Sequence, residues 1–150
     1  MSESVVKKLD FVAVPSRDAE RTRAFYVDTL GLRPDDQARF EFWVGDTCFG
    51  IWEPDKLGGT FAPQKNAHLA LHVDDVEAAR AELEAKGIEF AGETFDTGVC
   101  YMAFFEDPDG NALMLHHRYS PREAAGMSST CSARCAVFCG ANSSPNVVGS

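Results

Sequence analysis

Phe104-Phe105-Glu106-Asp107-Pro108-Asp109-Gly110-Asn111-Ala112-Leu113-Met114-Leu115-His116-His117 is the stretch that decides the fold. An apolar strand runs into Asp-Pro-Asp-Gly-Asn, and a second apolar strand runs out of it. Pro108 fixes its own φ and drives Asp107 out of helical geometry. Gly110 and Asn111 accept the positive φ that a tight reversal needs. The chemistry predicts a β-hairpin. Its outgoing strand alternates, with Met114, His116 and Arg118 on one face and Leu113, Leu115 and His117 on the other.

The same grammar recurs through the chain. Leu9 to Val14 reads as a strand ended by Pro15. Asp18 caps a helix that runs to about Thr29 and stops at Gly31. Arg33 to Arg39 reads as a loop. Phe40–Val44 and Thr47–Glu53 read as strands joined through Gly45-Asp46, and Asp55 to Asn66, with Gly58-Gly59, as a linker. Ala67 to Val73 is then a strand again, and Asp74 with Glu77 resembles a capping box. Val76, Ala79 and Leu83 fall at helical spacing before Gly87. Ile88–Ala91 and Cys100–Phe105 lead back to the hairpin. This is an internal repeat: Phe11 answers His68, Asp18 answers Asp75, Gly31 answers Gly87 and Gly45 answers Gly110. Aligning those last two glycines makes Phe49 answer Met114. Alternation then puts Val12, Val14, Cys48, Trp52, Leu69, Leu71, Val73, Leu113 and Leu115 under helices. Phe11, Ala13, Phe49, Ile51, Glu53, His68, Ala70, His72, Met114 and His116 take the opposite faces.

A formal net charge of −9 argues against nucleic acid or an anionic membrane surface as partner. It suits a cationic guest, for which Trp43 offers a flat face, although a solvated acidic surface explains it more simply. No apolar run approaches the roughly 20 residues of a membrane span. The start, Met1-Ser2-Glu3-Ser4, lacks the basic-then-apolar plan of a signal peptide, and the five cysteines follow no disulfide framework. Both point to a reducing cytoplasm. From Tyr119 onward Ser, Ala, Gly and Cys dominate and a poorly ordered tail is expected. Cys131, Cys135 and Cys139 would share a helical stripe, and three thiolates can hold zinc, but no fourth ligand stands at finger spacing and incidental thiols are the plainer reading. No Gly-rich phosphate loop opens a helix, and no cysteine has a histidine placed beside it in sequence.

The sequence resembles the vicinal oxygen chelate superfamily, which includes glyoxalase I, extradiol dioxygenases, and fosfomycin- and bleomycin-resistance proteins. The resemblance is carried by Leu9-Asp10-Phe11-Val12-Ala13-Val14, Ala24-Phe25-Tyr26 with Leu30-Gly31-Leu32, Ala67-His68-Leu69-Ala70-Leu71, and Asp107-Pro108-Asp109-Gly110-Asn111. It implies an α+β fold over residues 1–118, in which two paired βαβββ modules (about 5–54 and 66–118) form a curved mixed-sheet cup with helices outside. It also implies a homodimer, since such cups often pair across subunits. Metal-dependent members place His or Glu at four cup positions. Carried over, these fall on Phe11, Phe49, His68 and Met114, so only His68 matches. Phe offers no donor, and a Met thioether is a soft ligand ill suited to magnesium, manganese or iron. His68 and His72 stand four apart on one strand, about 13 Å, too far to share an ion. A displaced site from His72, His116 and Glu53 is the remaining arrangement.

Two functions follow, with a blander third, a subunit or regulatory domain that keeps the fold without the chemistry. The first is a cup without cofactor that binds a small organic molecule, with Phe11, Phe49, Ile51 and Met114 supplying apolar area and Glu53, His68, His72 and His116 supplying orientation. The second is an enzyme of the same superfamily, a lyase, isomerase or dioxygenase, with an unusual divalent-metal site or with His68 or Glu53 as a metal-free base.

Overall fold

A computed structural model describes residues 3–122; the cysteine triplet of the tail lies outside them. The elements run β1 (Phe11–Pro15), α1 (Ala19–Ala24), a π-helical turn (Phe25–Thr29), β2 (Arg33–Pro34), β3 (Glu41–Val44) and β4 (Thr47–Trp52). After a 3-10 turn (Pro54–Leu57) follow β5 (Leu69–His72), α2 (Val76–Ala85), β6 (Phe90–Asp96), β7 (Cys100–Glu106) and β8 (Ala112–Arg118). They build two four-stranded sheets of equivalent topology, β1-β4-β3-β2 and β5-β8-β7-β6. In each, the first strand pairs in parallel with the last and the others are antiparallel. This is the two-module α+β fold that the repeat predicts.

Local chemistry explains the differences in detail. Asp75, rather than Asp74, caps α2, its carboxylate accepting from the Ala78 amide at 3.0 Å. Asp18 does the same for α1 through the Arg21 amide. The predicted loop after Arg33 opens with the two residues of β2, which pair with Phe42 and Trp43. Strand β6 is longer than the apolar run Ile88–Ala91 suggests. Gly92, at φ +71°, takes up a register shift between Ala91 and Phe95, and the strand resumes beyond this bulge.

The helix-covered faces of the two modules share one core. Val14, Tyr26, Phe42, Phe49 and Ile51 of the first module and Val76, Leu83, Ala103, Phe105, Leu113 and Leu115 of the second are buried in a single cluster. The hairpin motif fastens the modules together. The Asp107 carboxylate accepts from the Asp109 and Asn111 amides (both 2.9 Å), from Asn111 Nδ2 (2.8 Å) and from the Tyr26 hydroxyl of the first module (2.7 Å). Asn111 Nδ2 also donates to Pro15 O at 2.8 Å, and its Oδ1 accepts from the Gln64 amide at 2.9 Å. Asp109 accepts from the Thr22 hydroxyl, from the Arg17 amide at 3.0 Å and from Arg21 Nη2 at 3.2 Å.

This network sets an acid limit. Burial pushes the Asp109 carboxyl up, but hydrogen bonds from Thr22, the Arg17 amide and Ser16, with the Arg21 charge, outweigh it and hold the group below the ordinary carboxylate range. Its folded-state pKa therefore lies below the unfolded value of about 3.9. The stabilisation is complete above that value and drains away as pH falls through the folded-state pKa. Urea midpoints measured from about pH 5 down to pH 2 are expected to fall more steeply for the wild type than for Asp109→Asn, whose carboxamide does not titrate.

Candidate functional site

The faces turned away from the helices form the candidate site, and ladder register decides what stands on them. β1 and β4 pair with Phe11 opposite Cys48, Val12 opposite Phe49 and Ala13 opposite Gly50. Phe49 therefore shares the face of Val12 and Val14. It lies 4 % exposed with its ring centroid 4.8 Å from that of Tyr26, and Ile51 is buried in the same core. The expected placement of Phe49 and Ile51 in the cup is thus wrong by one residue, which turns every side chain of the strand over. Cys48, Gly50 and Trp52 take the open face instead, with Phe11 and Ala13. The cause is loop length. β3 and β4 are joined by a two-residue turn, with Val44 opposite Thr47, whereas Glu106 and Ala112 close a longer reversal between β7 and β8. Equal distance from the turn glycine therefore means opposite faces. In the parallel ladders Ala13 faces Gly50 and Ala70 faces Met114, so the counterpart of Met114 is Gly50, which carries no side chain.

Glu53 also leaves the predicted site. Its carboxylate accepts from the Ala19 amide at 3.0 Å, at the start of α1, and forms an ion pair with Lys56. Lys56 and that amide lower its pKa. It acts as a helix-terminal anchor, and both the displaced metal site and the role of Glu53 as base lose their carboxylate. Among the described residues no three His, Cys, Asp or Glu side chains are grouped to hold an ion. Trp43 is engaged as well: its indole N–H donates to Asp35 at 2.9 Å and Arg33 stands over its ring at 5.7 Å. A resident cation already occupies the face that sequence offered to a guest.

What remains is two unlike half-sites. On the first module a cavity of about 530 Å³ is lined by Phe11, Ala13, Glu41, Cys48, Gly50 and Trp52, among others, all between residues 11 and 52. It is open: Phe11 is 63 % and Trp52 43 % exposed. On the second module Ala70, His72, Met114 and His116 share the open face, with Ala70 beside Met114 and His72 beside His116. Met102 and Phe104 flank them from β7. Met114 is buried yet stands outside the core cluster, as a residue on the opposite face should. His68 meets Phe104 edge to face at 5.2 Å and lines a separate cavity of about 550 Å³ with Phe25, Phe90, Phe104 and Glu106. His116 is held below the ordinary imidazole pKa, first by burial and then by the charges of His72, Arg118, Arg122 and His117. Structure therefore joins His72 to His116 and Met114, but leaves Phe11 and His68 in different cavities. Gly50, Trp52 and Phe104 were missed; Arg118 was readable from its alternation with Met114 and His116.

The family model of the Glyoxalase/Bleomycin resistance protein/Dioxygenase superfamily matches residues 8–115. The chain belongs to that superfamily. It is 29 % identical over 126 residues to the uncharacterized protein YaeR of Escherichia coli K12, covering 75 % of this chain and 98 % of YaeR. It is 25 % identical over 153 residues to the lactoylglutathione lyase of Schizosaccharomyces pombe, covering 81 % of this chain but only 51 % of that enzyme. In fold it is similar to the crystal structure of a superfamily member from Nocardioides, with a TM-score of 0.67 at 15 % identity over 81 % of this chain and 92 % of that one. None of the described helices is long and apolar enough to cross a membrane.

Proposed function

We propose that this superfamily member binds a small organic molecule in a cup that two copies of the chain complete, and that the cup works without a divalent metal. The observation that carries the reading is the open face of the first sheet, where Phe11, Ala13, Gly50 and Trp52 line the 530 Å³ cavity. Glu41 is its single carboxylate among the described residues, with Cys48 hydrogen-bonded to it at 3.5 Å, too few donors for a divalent ion. A divalent ion needs several N or O ligands within about 2.0–2.4 Å. The family positions supply Phe11, Gly50 (where the ladder places the second), the Met114 thioether and one imidazole, His68, a set that does not fit such an ion.

The same geometry supports the dimer. Within one chain the modules meet through their helix-side cores, so each half-cup is left open. Exposed Phe11 edges the first of them, with Val5, Val6 and Leu9 exposed just upstream. Covering apolar surface of this kind contributes about 25 cal/mol per Å². Sedimentation is expected to give twice the chain mass. Phe11→Asp, which changes a residue already exposed, is expected to give a folded monomer with weaker ligand binding. A monomeric wild type that binds as well as the dimer would remove the paired cup.

The likeness to a lactoylglutathione lyase favours a second reading, an enzyme in which His68 acts as a base in the cavity beside Phe104. Turnover lost in His68→Ala, with ligand affinity kept, would support it.

A further inference from the structure

We propose that the guest of the cup is a small organic carboxylate, bound through Arg118, His116 and His72. This rests on the cup reading and names the chemistry of its guest. Ladder register brings the three residues to one end of the second sheet, where the His72 ring also packs 5.7 Å from that of His117. His72 on β5 stands opposite His116 on β8, and Arg118 follows His116 on the same face, opposite Cys100 of β7. On a chain of net charge −9 this end of the open face is basic.

Two of these side chains, Arg118 and His116, lack an acidic partner among the described residues. Among the described residues Arg118 Nε is buried without a hydrogen-bond partner, and no carboxylate is in ion-pair range of Arg118 or His116. Two acids stand near the site: Asp74 lies 3.4 Å from His72 Nε2, at its edge and exposed, and Asp96 accepts from the Tyr119 hydroxyl at 2.8 Å. An arginine has donors only, so the group that satisfies Nε must be an acceptor, and a buried unpaired donor is costly. A carboxylate matches a guanidinium edge in charge and shape.

Charge selects a monoanion. Near neutral pH His116 is uncharged, because burial and the positive groups around it hold its pKa down. Arg118 then supplies the principal full charge at this end of the open face, enough for one carboxylate and too little for a phosphate dianion. The apolar half-cup around Phe11 and Trp52 takes the body of the molecule. As pH falls, His116 gains its proton and should bind the anion more tightly, against the opposition of burial and of the charges of His72, Arg118, Arg122 and His117 in the free protein.

The test is calorimetric titration of the full chain with 1-naphthoate, 1-naphthalenemethanol, 1-naphthylmethylamine and inorganic phosphate. 1-Naphthoate should bind at least tenfold tighter than the alcohol, the amine or phosphate, and tighter at pH 5.5 than at pH 8. Arg118→Gln and His116→Gln, each checked for an unchanged thermal midpoint, should weaken naphthoate at least tenfold and leave the alcohol unchanged. Equal binding of the alcohol or the amine would overturn the carboxylate and leave the cup standing. Phosphate binding as tight as naphthoate would overturn the organic guest. If none of the naphthalene compounds binds, cup and inference fall together. An Arg118→Gln variant that fails to fold is replaced by Arg118→Lys, which should keep part of the preference for naphthoate over the alcohol; a preference unchanged in it and in His116→Gln would overturn the assignment.

Discussion

Asp107→Ala is expected to cost about 3–5 kcal/mol of folding free energy. The carboxylate is 5 % exposed and receives four hydrogen bonds, from the Asp109 and Asn111 amides, Asn111 Nδ2 and the Tyr26 hydroxyl. Truncation leaves buried donors unpaired, and Tyr26 and Asn111 are themselves 1 % and 0 % exposed, so water cannot simply replace the lost oxygen atoms. The Tyr26 bond also crosses between modules, so its loss should loosen their union and not merely the turn. Urea unfolding of Asp107→Ala, Tyr26→Phe and the double variant separates these effects. Tyr26→Phe alone should cost about 1–2 kcal/mol. A coupling energy near zero in the cycle would show that the inter-module bond contributes nothing.

Phe49→Ala should be as damaging, at about 3–5 kcal/mol, because it opens a cavity beside Tyr26 and Phe42. Trp52→Ala, three residues along the same strand, should change stability by only about 1 kcal/mol, since its ring is 43 % exposed, while weakening ligand binding in the cup. The pair tests register directly. If Phe49 lined the cup and Trp52 lay under a helix, as alternation counted from the turn glycine implies, the two results would exchange.

That exchange shows where sequence stops being legible. The hairpin at Asp107–Asn111, the two Asp-capped helices and the repeat of Phe11 in His68 are local signals, and each led to the element that forms. Modules, sheets and superfamily follow from them. The face that β4 presents is fixed by pairing with β1, dozens of residues away, and by a two-residue turn whose partner in the second module is longer. The bulge at Gly92 has the same character, since a glycine inside a strand says that something bends without saying how far the strand continues. At the site, His72, Met114 and His116 were placed on one face by simple alternation and share it, while His68, just before β5, lines a separate cavity. Glu53 was lost because its role depends on the start of α1, a contact of long sequence separation.

The central claim, a guest held in the cup without a metal, is tested most directly by one titration. Chelator-treated wild-type chain and its Phe11→Asp variant are titrated with 1-naphthoate, before and after zinc, nickel or manganese is restored. Saturable binding to the wild type is expected, unaltered by metal and strongly weakened by Phe11→Asp. Binding that appears only when metal is restored, and is lost in His68→Ala, would contradict it.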